Sequence, residues 1–197
     1  MATKEPKPEQ PIIFFETAED WEKWLIKHHE NHQGIWLRMY KKATKKPTIT
    51  YAEALDVALC YGWIDGQKNS YDNESWLQKF TMRGKKSIWS LKNTEHIARL
   101  TKAGLMKPAG QAAIDAAKAD GRWDNAYASG KNAEMPEDFL SELAKNHKAK
   151  AFFETLNKSN TYAIYFRITN VKKAETRERK IKQFIEMLER GDKVHLL

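Results

Sequence analysis

Arg83, Lys86, Ser87, Trp89, Ser90 and Asn93 fall within eleven residues. Between Glu74 and Glu95 there are five basic residues, Lys79, Arg83, Lys85, Lys86 and Lys92, and no acid. Ser87 and Ser90 stand just before an expected helix start, where free backbone N–H groups and the positive end of the helix dipole favour an anion. Hydroxyls add donors, and arginine adds a planar fork that suits phosphate or carboxylate. Trp89 is a ring that stacks on a ligand or packs in a core. The plain alternative makes Ser90 a helix cap and the lysines a solvated face.

Upstream, Trp63, Asp65, Gly66 and Gln67 form a second candidate. Asp65 has the chemistry of a general base or of a partner for Arg83, but a lone carboxylate is a weak catalytic signal, and Asp-Gly also serves turn geometry. A third candidate is the acid-free window between Glu30 and Glu53, which holds Arg38, Lys41, Lys42, Lys45 and Lys46 beside Trp36 and Tyr40. Cations interleaved with rings suit nucleic acid, and a solvated basic turn has the same composition. His28, His29 and His32 miss zincin spacing, because His29-Glu30-Asn31-His32 has one residue too few between the glutamate and the second histidine. Cys60 reads as a small buried hydrophobe. Arg83-Gly84-Lys85-Lys86-Ser87 lacks the first glycine of a Walker loop, since position 79 is Lys79. No metal set and no cofactor motif is read from the chain.

These residues need elements to hold them. Pro11 to Phe15 reads as a strand, and Thr17 with Asp20 opens a helix carrying Trp21, Trp24 and Leu25. Ile35 to Tyr40 reads as a strand with Trp36 and Arg38 on one face and Ile35, Leu37 and Met39 on the other. Thr50 and Glu53 make a capping box for a second helix. Trp63 to Tyr71 and Ser75 to Arg83 read as strands joined by a turn at Asp72-Asn73. Beyond Ser90 the pattern is helical. Leu91 to Ala103 stops at Gly104, and Pro108 and Pro136 sit at first helical positions. Asn146 or His147 opens the next helix and Ser159 caps another. The last runs from Ala174 to Glu189, with Ile181, Phe184, Ile185 and Leu188 as its apolar stripe.

The expected fold class is therefore α+β: a small, mostly antiparallel sheet with helices in the N-terminal half, then an all-helical C-terminal lobe. The expected organisation is a flexible tail over 1–10, an α+β core over 11–126, a linker over 127–135 and a helical lobe over 136–197 that packs with the core as one unit. The formal net charge is +8 in 197 residues, and there is one cysteine. That charge suits anionic small molecules, acidic proteins or nucleic acid. The single thiol excludes an internal disulfide and suits a reducing compartment. Met1 to Gln10 lacks the apolar run of a secretory signal, and no stretch approaches the ~18 apolar residues of a membrane span. The expected location is cytoplasmic. The sequence carries no signal of oligomeric state.

Some stretches are specific enough to carry a resemblance. They are Ala58-Leu59-Cys60-Tyr61-Gly62-Trp63-Ile64-Asp65-Gly66-Gln67, then Phe80-Thr81, Arg83, Ser87, Trp89-Ser90 and Asn93. Gly104-Leu105-Met106, Pro108-Ala109-Gly110 and Gly121-Arg122-Trp123 follow, and then Ala174-Glu175-Thr176-Arg177. In this order they resemble the YdeI/OmpD-associated, or bacteriocin-protection, family from about Ile12 to His195. Met82 and Gly84 depart from it, standing where relatives often carry proline and a basic residue. The resemblance implies an envelope association by name and no particular reaction. The leading expectation is a binding protein whose basic, tryptophan-lined cleft takes an anionic small molecule or glycan, built from Trp63, Asp65, Arg83, Lys86, Ser87, Trp89, Ser90 and Asn93. The alternatives are nucleic-acid binding through Arg38 to Lys46 and the last helix, or an enzyme using Asp65.

Overall fold

The computed structural model describes residues 10–30, 33–128, 134–171 and 173–194. Residues 1–9 of the tail expected over 1–10, His32, the linker residues Ser129, Gly130, Lys131 and Asn132, Lys172 and His195 lie outside the described residues. The chain divides into two compact units. The first comprises residues up to 89 together with 93–125, and the second comprises 90–92 together with everything from 126 onward.

In the first unit, β1 (Ile12–Phe14) leads into α1 (Ala18–His28) and back to β2 (Ile35–Tyr40). Thr17 caps α1, its hydroxyl accepting from the Asp20 N–H. β1 and β2 pair in parallel, so the helix is the crossover such a pair requires. A one-turn helix, Lys42–Thr44, then precedes α2 (Tyr51–Cys60), which starts with the complete Thr50–Glu53 capping box. β3 (Trp63–Ser70) and β4 (Ser75–Met82) form an antiparallel hairpin, and β4 inserts beside β2 to give the order β1-β2-β4-β3. The turn is held by Asp72, whose Oδ1 accepts from the N–H groups of Glu74 and Ser75 and from the Ser75 hydroxyl. Three of the four strands are joined antiparallel, so the sheet is mixed but mostly antiparallel.

One face of this sheet is the core. Ile35, Leu37 and Met39 of β2 point into it, with Phe80 opposite Ile35 in the register. Trp21 of α1 is fully buried against Phe80 and Trp63, at ring separations of 5.8 and 6.0 Å. Its indole N–H donates to the Ala54 carbonyl of α2, which satisfies a polar atom that burial would otherwise penalise. The register of β3 slips between Asp65 and Lys68, and buried Gln78 donates across the slip to the carbonyls of Gly66 and Gln67. The unit continues with α3 (Leu91–Lys102), whose first two residues group with the second unit, and α4 (Pro108–Ala119). Gly104 ends α3 at φ +70°, and the Leu105 N–H reaches back to the Leu100 carbonyl.

The second unit holds α5 (Glu137–Ala144), α6 (His147–Glu154), α7 (Lys158–Thr169) and α8 (Ala174–Glu189). Its core joins Phe139 and Leu143, Ile164 and Ile168, and Ile181, Phe184 and Leu188. Two expected starts move. Pro136 is the N-cap of α5, in extended conformation, and not its first helical residue. α7 is capped by Asn157, which accepts from the Asn160 N–H, so the start lies upstream of Ser159. An asparagine caps a helix as well as a serine does, and Asn157 comes first.

Candidate functional site

The Arg83 loop folds in on itself. Arg83 lays its guanidinium over the Trp89 ring at 3.6 Å and donates to the Ile88 carbonyl at 3.0 Å. Ser87 closes a turn with Gly84, its hydroxyl accepting from the Gly84 N–H and its own N–H donating to the Gly84 carbonyl. Arg122 donates to the Ser87 carbonyl. Lys86 is exposed, and Ser90 and Asn93 are half-buried at the start of α3, where the Leu91 N–H donates to the Tyr127 carbonyl. The tryptophans differ from the expected cleft walls. Trp89 is 2% exposed and packs on Trp123, while Trp63 is fully buried with its indole N–H on the His29 carbonyl. A ring without an exposed face cannot line an open cleft. Asp65 accepts from the Tyr51 hydroxyl at 2.7 Å. Burial, with that bond, pushes the Tyr51 phenol pKa well up, which keeps it a donor.

The third candidate takes on the clearest geometry. The core takes one face of the sheet, which leaves Trp36, Arg38 and Tyr40 of β2 half-buried on the other. The register sets Phe14 beside Arg38 and Lys79 opposite Trp36. Phe14 is 40% exposed and Ile12 46% exposed. Cations lie over the rings: Lys79 over Trp36 at 5.6 Å, Lys46 over Tyr40 at 5.1 Å, and Arg38 over both Tyr40 and Tyr71 at 5.0 and 5.3 Å. Arg38 is oriented by Asp72 at 2.9 Å and the Ser75 hydroxyl at 3.0 Å. Lys46 pairs with Glu74 at 2.6 Å. Where β2 ends, Lys41, Lys42, Lys68, Asn69, Ser70 and Trp76 line a hollow of about 570 Å³. Lys68 sits 4.3 Å over the Trp76 ring there. The sequence window captured Arg38 to Lys46 but missed Lys79 and Tyr71, which only the fold brings alongside; Lys68 and Trp76 pair in register with Gln78 and Met39 and so lie on the opposite face.

A polar cluster on α2 also went unread. Asp56 accepts from Arg99 at 2.7 Å and lies 3.0 Å from His96 Nδ1, both on α3. Nearby, Glu22, Cys60 and Lys107 border a hollow of about 170 Å³. The Lys107 ammonium at 3.0 Å holds the Glu22 carboxyl below its usual range. Burial pushes the Cys60 thiol up to about 11, which makes it a poor nucleophile. Among the described residues no group of three His, Cys, Asp or Glu side chains is placed to hold a metal ion, and no helix is long and apolar enough to cross a membrane.

Two family models match the chain. One, described as a domain of unknown function (DUF8412), covers residues 13–113, just over half of the 197. The other, described as bacteriocin-protection, YdeI or OmpD-associated, covers residues 132–191. No curated protein and no solved structure matches. The motifs from Ala58 to Gly110 fall within the first match, and the Ala174–Arg177 pattern falls within the second. Through residues 13–113 the chain belongs to the family of the domain of unknown function DUF8412, and its residues 132–191 are similar to the bacteriocin-protection, YdeI or OmpD-associated family.

Proposed function

We propose that the first unit binds single-stranded nucleic acid on the outer face of its sheet. One observation carries this reading: the rings of Trp36, Tyr40 and Tyr71 stand on that face with a cation over each. Bases stack on aromatic faces whatever their sequence, and lysines track the phosphates between them. Trp36 and Tyr40 are four residues apart on one strand, about 13 Å, which gives each ring room for its own base. Arg38 and Lys46 have carboxylate partners, so the excess positive charge comes from Lys79 on the face and from Lys41 and Lys42 where β2 ends. The anion chemistry sought in the Arg83 loop thus passes to β2. The cytoplasmic location expected from the sequence accords with this reading.

Anisotropy of labelled 20-residue oligo-dT and oligo-rU, titrated with the full chain from 50 to 300 mM salt, tests it. Single strands are expected to bind more tightly than a duplex of equal length. The logarithm of affinity is expected to fall against the logarithm of salt with a slope of about −2, from roughly three lysine–phosphate contacts at ~0.7 each. Absence of binding at 50 mM salt, or equal affinity for polyphosphate, which has no rings to stack, overturns the proposal.

A further inference from the structure

The second unit carries a surface feature that the sheet face does not explain. α8 gives Ile181, Phe184 and Leu188 to the core, all buried. Ile185 lies one position off that stripe and is only half-buried. With the flank of Ile181 and with Ala174 it floors a groove of about 790 Å³ between α5 and α8. One end is closed by Arg177 and Asp138, whose guanidinium and carboxylate meet through two hydrogen bonds of 2.6 and 2.9 Å. That pair cancels its own charge.

The remaining charge on the groove is acidic. Glu142, Glu178, Glu186 and Glu189 border it, against Lys182. Glu142 also pairs with Lys145, so the surplus rests on Glu178, Glu186 and Glu189, all exposed on α8. The chain as a whole has a formal net charge of +8. The groove therefore inverts the sign of its surroundings. Between Ala174 and Glu189 it runs along fifteen helical steps, about 22 Å, the length of a four-turn helix.

We infer that this groove receives a basic amphipathic helix from a partner protein. Its apolar stripe would lie on Ile185, and its lysines or arginines would meet Glu178, Glu186 and Glu189. Helix-in-groove recognition uses apolar anchors at i, i+3, i+4 and i+7, and flanking charge fixes orientation and partner choice. Charge complementarity is the deciding argument. The rest of a chain at +8 repels a basic peptide, so binding by one reports this locally acidic surface.

The probe is a synthetic sixteen-residue helix with leucine on one face and lysine on the other, labelled and titrated with the full chain. A scrambled peptide of the same composition and a version with glutamate for lysine run beside it. The amphipathic basic peptide is expected to bind about tenfold or more tightly than the scramble, and the glutamate peptide to show no binding. The double reversal Glu178→Lys with Glu186→Lys changes exposed side chains, so it is expected to keep the parent melting curve and lose about tenfold or more in affinity. Ile185→Ser, at a half-buried position, checks the apolar floor and is expected to weaken the same peptide. Equal binding of the scramble, or full affinity in the double reversal, overturns the inference. So does a concentration-dependent dimer that charge reversal dissolves while the peptide fails to compete, since the groove would then belong to a second copy.

Discussion

Replacing Gly110 by alanine tests how the first unit is packed. Gly110 lies in the first turn of α4 and faces the end of α2. A Cβ there would meet the Cys60 carbonyl oxygen in direct overlap, the Cys60 carbonyl carbon at 2.8 Å and Met106 Cε at 2.7 Å. The methionine can swing away, but the backbone cannot, because the same carbonyl accepts from the Lys107 N–H at 3.2 Å. Gly62, at φ +73°, makes the matching approach, its own Cβ position lying 2.9 Å from the Ala109 carbonyl oxygen. Overpacking a fixed contact costs about 1–3 kcal/mol, and the clash with backbone puts this case at the upper end. Alanine in place of glycine returns up to about 1 kcal/mol of helix propensity. The net loss is about 2 kcal/mol, a fall of about 4–10 °C in melting temperature for a unit of this size. All seven tryptophans lie between Trp21 and Trp123, so tryptophan fluorescence reports on the first unit alone. Gly104→Ala is the control. Gly104 has φ +70° and open space around its Cβ position, so that change carries only the left-handed strain of about 1–2 kcal/mol, with no clash. A Gly110→Ala protein that melts at or above the parent refutes the close approach of α4 and α2.

Other changes test other parts. Cys60, with its thiol raised to about 11 by burial, is expected to react with iodoacetamide at pH 8 about a hundredfold more slowly than in the urea-unfolded chain; mass spectrometry follows the rate, and equal rates contradict its burial. Asp138 is held below the usual carboxylate range by Arg177, so the pair stabilises the fold above pH ~4 and fades as pH falls through the lowered value. Asp138→Asn is therefore expected to lower stability at pH 7 by up to ~1 kcal/mol, the pair being partly exposed, and to lose that difference in circular-dichroism melts as pH falls through the lowered value. Arg83→Ala removes the stack on Trp89 and the bond to the Ile88 carbonyl; it is expected to lower the unfolding free energy from urea titration by about 1–2 kcal/mol with an unchanged m-value, and Arg83→Lys, which lacks the planar fork, to recover little of it.

What the sequence shows is what local chemistry decides. Thr17 and Thr50 caps, the alternation of β2, the Asp72 turn and the Gly104 stop each depend on residues within a few positions of one another, and each is legible. The ends of α8 are legible for the same reason. Which rings are buried is only partly legible: the alternation of β2 sets Trp36 apart from the core face, but nothing local shows that Trp63 is covered. Trp63 is buried because Trp21 and Trp24 of α1 pack against its ring, a contact between residues about forty positions apart. Asp65 finds Tyr51 because α2 packs on β3, a contact fourteen residues apart with no local signature. The Asp56–His96–Arg99 cluster joins two helices about forty residues apart and is silent in the sequence for that reason. Arg83 over Trp89 follows the course of an irregular loop, which has no period to read.

The central claim is that the half-buried rings on the outer face of β2 stack on bases, and Trp36 tests it most directly. Its indole is half-buried with Lys79 at 5.6 Å, so Trp36→Ala removes a surface ring and leaves the core intact. Base–aromatic stacking is worth about 1–3 kcal/mol, so oligo-dT affinity at 50 mM salt is expected to fall by about 5- to 150-fold. Trp36→Phe, which keeps a ring, is expected to recover most of that loss. An alanine variant that folds and binds oligo-dT as tightly as the parent would contradict the account.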